Sequence, residues 1–319
     1  MTYIQTLRLP QALVDMGYQL AIYRGDLEHA DAPGNKWHKL KYNIAQAQAV
    51  GAQAIASFGG PFSNHLHALG ALGPAYGMQA IAVVRGELQP QLTPTLRDFV
   101  RQGGLLWPSS RIDYRAGMAS LVRQEIETLY GECYWVPEGG SNQAGVLGCY
   151  DWAQTIAQQG GSEFDNWVVS AGTGATAAGL LASPYSPSLS VIPALKGGEG
   201  LRADMIAWAE EIVLARGDTS GLQAHVSSFQ AHKLRLYAAY HGGGYAKFSP
   251  ELKAFLQAFA LLNPNVRLDP VYTAKAVFGV IQEMQAQRWP HKANLMIHTG
   301  GLQGWRGYSG YCEGIHGTP

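Results

Sequence analysis

The stretch GNKWHKLKYN, residues 34–43, places two lysines three residues apart where a helix should begin. After the breaker run DAPGN, the pattern WHKLKYNIAQAQAV reads as helical, with Leu40, Ile44 and Ala47 on one face. Asn35 fits as its N-cap. The helix dipole then sets partial positive charge beside Lys36, and Lys39 adds a like charge on the same face. Both neighbours favour a free amine over an ammonium. A free amine is a nucleophile that forms imines with aldehydes. The plain alternative is that both lysines point into solvent.

Other short segments carry chemistry of their own. SAGTGATAAG, 170–179, runs from an apolar strand into Gly172, Thr173, Gly174, Ala175 and Thr176, then a small-residue helix. Such a loop offers backbone N–H groups and a helix N-terminus to one phosphate group. A dinucleotide fingerprint competes, but four residues separate Gly174 from Gly179 and no acidic residue lies at Ser188–Ser190. An ordinary tight turn is the third reading. In SFGGPFSNHLHALG, Ser63 and Asn64 sit at a helix mouth, suited either to holding a carboxylate or to capping the helix. His65 and His67 are two apart and diverge on a helix, a poor metal pair, so no metal site is expected. LDPVYTAKAV, 268–277, puts Tyr272 and Thr273 just inside a helix, where a tyrosine lies against a flat ring or joins the core. HTGG, 298–301, ends a strand with Thr299 and two glycines that permit close approach. An imine-forming lysine, a single-phosphate cradle, an aromatic platform and small polar loops together match the requirements of pyridoxal phosphate.

These loops need strands and helices to hold them. Strand-like runs (52–58, 79–85, GLLWP at 104–108, YWVPEGG from Tyr134, 166–174 and 188–198 each running into a glycine loop, and ANLMIHTGG at 293–301) alternate with helical ones, including a helical stretch over 113–130. That alternation predicts an α/β protein of two open parallel-sheet lobes, with ligands beyond the carboxyl ends of the strands. The expected division is a large cofactor domain from 1–42 and 150–319 and a small α/β domain over 43–149. Lys+Arg and Asp+Glu are 23 each, so bulk charge favours neither nucleic acid nor an anionic membrane surface. Three cysteines without a CxxC pair suit a reducing cytoplasm rather than a disulfide framework. There is neither a signal-peptide core at the N-terminus nor an apolar run long enough to span a membrane. Charged residues are only 14% and apolar ones 47%, which fits a homodimer with a covered face.

In order along the chain, GNKxxKL, SNH after a GG turn, PEGGSNxxGxLG, GTGATxAG, LDPVYTxK and HTGG resemble the D-cysteine desulfhydrase and 1-aminocyclopropane-1-carboxylate deaminase family. These are pyridoxal phosphate enzymes of the tryptophan synthase β-like fold, fold type II. The resemblance runs from about residue 34 to 301 and implies roles. Lys36 would be the Schiff-base lysine and Lys39 its companion. Asn64 would bind the cofactor's phenolic oxygen. Ser63, with Asn64 and His65, would bind the substrate, a small amino acid. Gly172 to Thr176 would hold the phosphate. Tyr272 and Tyr245 would stand at the ring and assist proton movement, and Thr299 would face the ring nitrogen with Thr273 close by. Family deaminases typically carry Glu and Leu where this chain has Thr273 and Thr299, so the resemblance leans towards D-cysteine, cleaved to pyruvate, sulfide and ammonia. The loop RGDLEHADAP, 24–33, together with Trp37 and His38, departs from the family pattern, and Lys196 stands in an unfamiliar PALKGGEG. Alternative readings are a deaminase or racemase with the same cofactor, a nicotinamide-dependent oxidoreductase built on 172–179, and a non-catalytic binder of pyridoxal phosphate.

Overall fold

A computed structural model describes residues 3–86, 91–216 and 233–308. Among the described residues, ten strands form two sheets. The larger contains β1 (Ile4–Thr6), β2 (Gln19–Tyr23), β7 (Asn166–Ala171), β8 (Ser188–Pro193), β9 (Leu234–Leu236) and β10 (Ala293–Ile297), in the order β1-β2-β10-β7-β8-β9. Only the β1–β2 pair is antiparallel. The smaller sheet, all parallel, contains β3 (Ala54–Gly59), β4 (Gln79–Arg85), β5 (Leu105–Ser109) and β6 (Tyr134–Val136), in the order β5-β4-β3-β6.

The central strands are apolar on both faces because helices cover both. Every residue of β3 and of β7 is buried. Alternation still sorts the faces. Trp167, Val169, Leu295 and Ile297 join a core with α7 (Gln143–Gln158), α8 (Ala175–Ala182) and α9 (Leu201–Ala215). Val168 and Met296 point the other way, towards α10 (Pro250–Leu262) and α11 (Thr273–Gln285). In the small lobe, Ile55, Ala80 and Ala82 pack against α2 (Asn35–Ala49), α3 (Asn64–Ala75) and α4 (Pro94–Arg101). Ala56, Phe58 and Val83 pack on Tyr114 of α5 (Arg111–Ala116) and on Val122 and Ile126 of α6 (Leu121–Tyr130).

The predicted apolar face of α2 is the one buried: Leu40, Ile44 and Ala47 join the small-lobe core. The expected domain boundary at 42/43 falls inside this continuous helix. The helical stretch expected over 113–130 is made of two helices, α5 and α6. Gly117 leaves helical geometry at φ 53°, and Ser120 restarts the chain by capping Arg123 N–H. The Asp113 carboxylate completes the break by accepting from Leu121 N at 2.7 Å. Strands β1, β2 and β9 were not expected from the sequence. No helix among the described residues is long and apolar enough to cross a membrane.

Candidate active site

The carboxyl ends of both sheets open on a cavity of about 320 Å³, within the range that holds a small cofactor or ligand. The small lobe contributes Gly60, Ser63, Asn64 and His65 after β3, Arg85 at the end of β4, and Glu138 and Gly139 after β6. The large lobe contributes Ser170 to Gly174, Thr176, Leu195, Tyr245, Tyr272, Thr299 and Gly300. Asn35, Lys36 and Lys39 enter from α2.

Lys36 Nζ donates to Asn35 Oδ1 at 2.6 Å. Burial pushes its pKa from 10.5 to about 7, and the Lys39 charge pushes the same way. The shift runs towards the free amine expected from the sequence, but desolvation is the main cause and the like charge comes second. Lys39 is buried, donates to Gly139 O at 2.8 Å and reaches Thr173 Oγ1 at 3.5 Å. Burial lowers it to about 8.

Asn35 is not the N-cap of α2; it is the first helical residue, and Gly34 precedes it at φ 67°. At Gly34 a Cβ would lie 2.2 Å from the carbonyl carbon of Thr299 and 2.5 Å from Gly300 N. Only glycine lets the start of α2 press against the end of β10 so closely. Asn35 is thereby freed from capping. Its Nδ2 donates to Thr176 Oγ1 at 2.9 Å while its Oδ1 holds Lys36, so one amide ties the lysine to the first turn of α8.

Ser63 caps α3 by accepting from Leu66 N at 3.2 Å and still lines the cavity with its hydroxyl proton free to donate. Asn64 Oδ1 accepts from Gln303 Nε2 at 2.9 Å, which fixes its orientation. His65 is buried, with Nε2 and Ser57 Oγ 2.9 Å apart and Nδ1 without a partner. Burial and the two lysines hold it well below the usual histidine range, hence neutral. Thr299 Oγ1 lies 3.5 Å from Ser170 Oγ, two neutral hydroxyls at the ends of adjacent strands. The rings of Tyr245 and Tyr272 meet edge to face at 6.3 Å. Tyr272 is held as a phenol well above its usual range by burial and by Tyr245.

Two expected site residues are not on the wall. Ala175 is fully buried in α8. Thr273 is buried with its Oγ1 donating to Asp269 Oδ2 at 2.7 Å, because Asp269 uses that hydroxyl to start α11. The Asp269 carboxylate also accepts from Val271, Tyr272 and Thr273 N–H groups at 2.7–3.0 Å. Lys196 is exposed and its neighbour Leu195 lines the cavity instead. Asp269, Ser170 and Ser141, whose Oγ donates to Thr173 Oγ1 at 2.6 Å, escaped the sequence reading. For Asp269 the signal was available: an Asp-Pro pair just before a helix is a capping turn.

The segment 172–176 fits a single phosphate. Gly174 is left-handed at the N-terminus of α8, and no side chain caps its first N–H groups. At Gly172 a Cβ would crowd Tyr272 at 3.2 Å, so the bare backbone faces the cavity. The dinucleotide reading fails on Gly179. A Cβ there would meet Val146 O at 2.4 Å and Cys149 Cβ at 2.5 Å, so that glycine serves α7–α8 packing. No acidic residue ends β8, where Pro193, Ala194 and Leu195 stand. The lysine, the phosphate cradle and the unpartnered His65 Nδ1 around one cavity fit pyridoxal phosphate.

Two lobes with parallel sheets facing one cavity define the tryptophan synthase β-like architecture of fold type II, the one associated with pyridoxal phosphate enzymes. The crystal structure of an ACC deaminase homologue superposes with a TM-score of 0.81 at 26% identity, covering 98% of this chain and 93% of that one. The O-ureido-L-serine synthase structure, at 15% identity and TM-score 0.65, shares the fold over 100% of this chain and 94% of its own. No family model matches the chain. The chain is homologous, at low identity, to the D-cysteine desulfhydrase and 1-aminocyclopropane-1-carboxylate deaminase group. The mitochondrial bifunctional D-cysteine desulfhydrase/1-aminocyclopropane-1-carboxylate deaminase of Arabidopsis thaliana is 28% identical over 304 residues, 90% of this chain and 73% of that protein. The D-cysteine desulfhydrase of Klebsiella pneumoniae is 27% identical over 307 residues, 92% of this chain and 90% of that one.

Proposed function

We propose that this protein is a pyridoxal phosphate-dependent lyase acting on a small amino acid, with D-cysteine as substrate and pyruvate, sulfide and ammonia as products. The observation that carries the reading is Lys36: a half-buried amine with its pKa lowered to about 7, on the same cavity as an uncapped helix N-terminus.

When bound, pyridoxal phosphate supplies an aldehyde carbon for an amine and a ring that draws negative charge from the substrate Cα. Gly172 to Gly174 and the first turn of α8 would hold its phosphate, and Asn64 and Thr299 would offer polar side chains to the ring's oxygen and nitrogen. Ser63 and the N–H groups opening α3 take the substrate carboxylate. The Lys36 amine removes the α-proton, acting as a base whose pKa lies near the working pH. Asn35 Oδ1 holds that amine in place. Lys39 is anchored to Gly139 and adds its charge beside Lys36. Tyr272, kept protonated by burial, would donate a hydrogen bond to the departing group, with Tyr245 beside it. Water enters the balance once: D-cysteine plus water gives pyruvate, hydrogen sulfide and ammonia.

The choice of D-cysteine rests on Thr299. Among the described residues of the cavity wall, Glu138 is the one carboxylate, and the hydroxyls of Thr299 and Ser170 close the strand ends instead. A neutral partner leaves the ring a weaker electron sink, which suits loss of a thiolate better than opening of a carbon ring.

The test is to load the purified protein with pyridoxal phosphate, look for a visible absorption band, fix it with borohydride and map the adduct. The adduct should sit on Lys36, and D-cysteine should change the band and release sulfide with pyruvate. Pyruvate without sulfide from other substrates would move the assignment to a deaminase, and an inverted substrate without pyruvate to a racemase. Absence of any adduct would end the cofactor reading.

A further inference from the structure

Lys275 is 1% exposed on α11, and among the described residues its ammonium donates to backbone carbonyls. Its Nζ donates to Gly244 O at 2.7 Å and to Ala194 O at 3.3 Å. Each acceptor immediately precedes a residue of the cavity wall: Gly244 precedes Tyr245, and Ala194 precedes Leu195. The helix that carries Lys275 begins at Thr273, next to Tyr272, the other ring of the tyrosine pair.

The loop that carries Tyr245 has little structure of its own. Gly242, Gly243, Gly244 and Ala246 all have positive φ. Its internal ties are Gly244 N–H to His241 O and Lys247 N–H to Gly244 O, both 3.2 Å, and Gly243 N–H to His241 Nδ1 at 3.0 Å. Outside anchors among the described residues include Lys275 on Gly244 O, the Tyr308 hydroxyl on Ala246 O at 2.9 Å and the hydrogen bond between the Tyr245 and Tyr272 side chains. Tyr245 itself is 40% exposed at the cavity mouth, so packing alone does not fix it.

We propose that Lys275 is a positioning residue: a buried ammonium that clamps the 241–247 loop and the end of β8 to α11 and so sets Tyr245 against Tyr272. A methionine or leucine would fill the same space, but would take the Lys275 donor from Ala194 O and leave Gly244 O with only the loop's own Lys247 N–H. Burial holds Lys275 down to about 8, with Asp269 opposing, so the clamp is charged at neutral pH. The inference rests on the proposed use of the two tyrosines, but the clamp itself can be measured without turnover.

The test compares wild-type protein with Lys275→Met by two readouts. The first is hydrogen exchange in the cofactor-free protein. Peptides over 238–248 should exchange about ten-fold faster in the variant, with peptides of β7 and β10 unchanged. The second is steady-state kinetics on the loaded protein, where kcat should fall about ten-fold with KM within about two-fold. Unchanged exchange over 238–248 overturns the clamp. Faster exchange with unchanged kcat overturns its role in positioning Tyr245. If Lys275→Met does not fold, Lys275→Gln keeps a donor for one carbonyl and takes the same two measurements, with smaller effects in the same directions. If the wild-type protein turns over no amino acid, the proposed function fails while the exchange result still decides the clamp.

Discussion

At the scale of single residues, a group the chemistry needs is one the fold holds against its own preference. In the unfolded chain Lys36 has the ordinary pKa of 10.5, and in the folded chain about 7. Between those values the unfolded chain binds a proton that the folded chain does not. The contribution of Lys36 to stability therefore falls as pH falls from 10.5, and is fully lost below about 7. Lys36→Met should stabilise the cofactor-free protein at pH 7 by about 2 kcal/mol, less than the whole shift implies because the amine faces a cavity that admits water. A lower urea midpoint for the variant than for wild type would contradict this. The same shift makes Lys36 the first lysine to react as pH rises. Reductive labelling of the cofactor-free protein with a small aldehyde should modify Lys36 increasingly through pH 7, well before exposed lysines near pH 10. Equal labelling of all lysines at every pH would argue against it. The two threonines that looked equivalent in the sequence separate here. Thr299→Val should lower kcat about ten-fold or more. Thr273→Val should keep kcat within about two-fold and cost about 1 kcal/mol of stability, since its hydroxyl serves Asp269. Parallel kinetics and denaturation of the two variants distinguish the roles.

At the scale of elements, buried carboxylates fix the entry angles of the helices that carry the chemistry. Asp269 gathers three N–H groups and a hydroxyl at the start of α11, setting where Tyr272 points. Asp269→Ala should cost about 2–3 kcal/mol in urea denaturation, with kcat falling in the fraction that stays folded. A loss under about 0.5 kcal/mol would show that the turn holds without its cap. Beneath α2, Glu28 accepts from the hydroxyl of Tyr23, from His38 Nε2 at 2.9 Å and from Trp152 Nε1 at 3.1 Å. His38 also stacks on Trp152 with centroids 4.5 Å apart, and His29 stacks on Trp37 at 4.7 Å. The loop 24–33, with Trp37 and His38, looked anomalous as sequence; folded, it is one mutually adapted unit supporting the lysine helix. Arg24 grips Asp26 through two bonds of 2.9 and 2.7 Å within the same loop. Such adaptation is invisible from spacing, because its partners lie on β2, α2 and α7. Strands β3 to β8 and β10, and the helices with strong periodicity, were legible, since apolar runs and caps are local signals. β1 and β9 are three residues each and exist through pairing, and β2 is fixed by its parallel register with β10 from the far end of the chain. The break at Gly117 was legible only in part, because the helical period continues on either side of it.

At the scale of the molecule, the cavity belongs to neither lobe. Ser63, Asn64, His65 and the lysines of α2 stand on one side, and the 172–176 loop, Tyr272 and Thr299 on the other. Because residues of both lobes line the cavity, a ligand touching both sides couples two cores that otherwise meet mainly through α2 and α7. A ligand that binds only the folded protein stabilises it by about 2.7 kcal/mol at a hundred times its Kd. Pyridoxal phosphate should deliver that stabilisation to both cores, slowing hydrogen exchange in β3 and β4 of the small lobe as well as in β7 and β10 of the large one. Inorganic phosphate reaches only the α8 cradle, so it should protect the large lobe and leave β3 and β4 at their unliganded rates. In Lys36→Met, pyridoxal phosphate should behave more like inorganic phosphate, because the strongest tie to the small-lobe side is gone. Protection of one lobe only by pyridoxal phosphate in the wild-type protein would show that the two sides do not close on a shared ligand, and would move the site off the lobe junction.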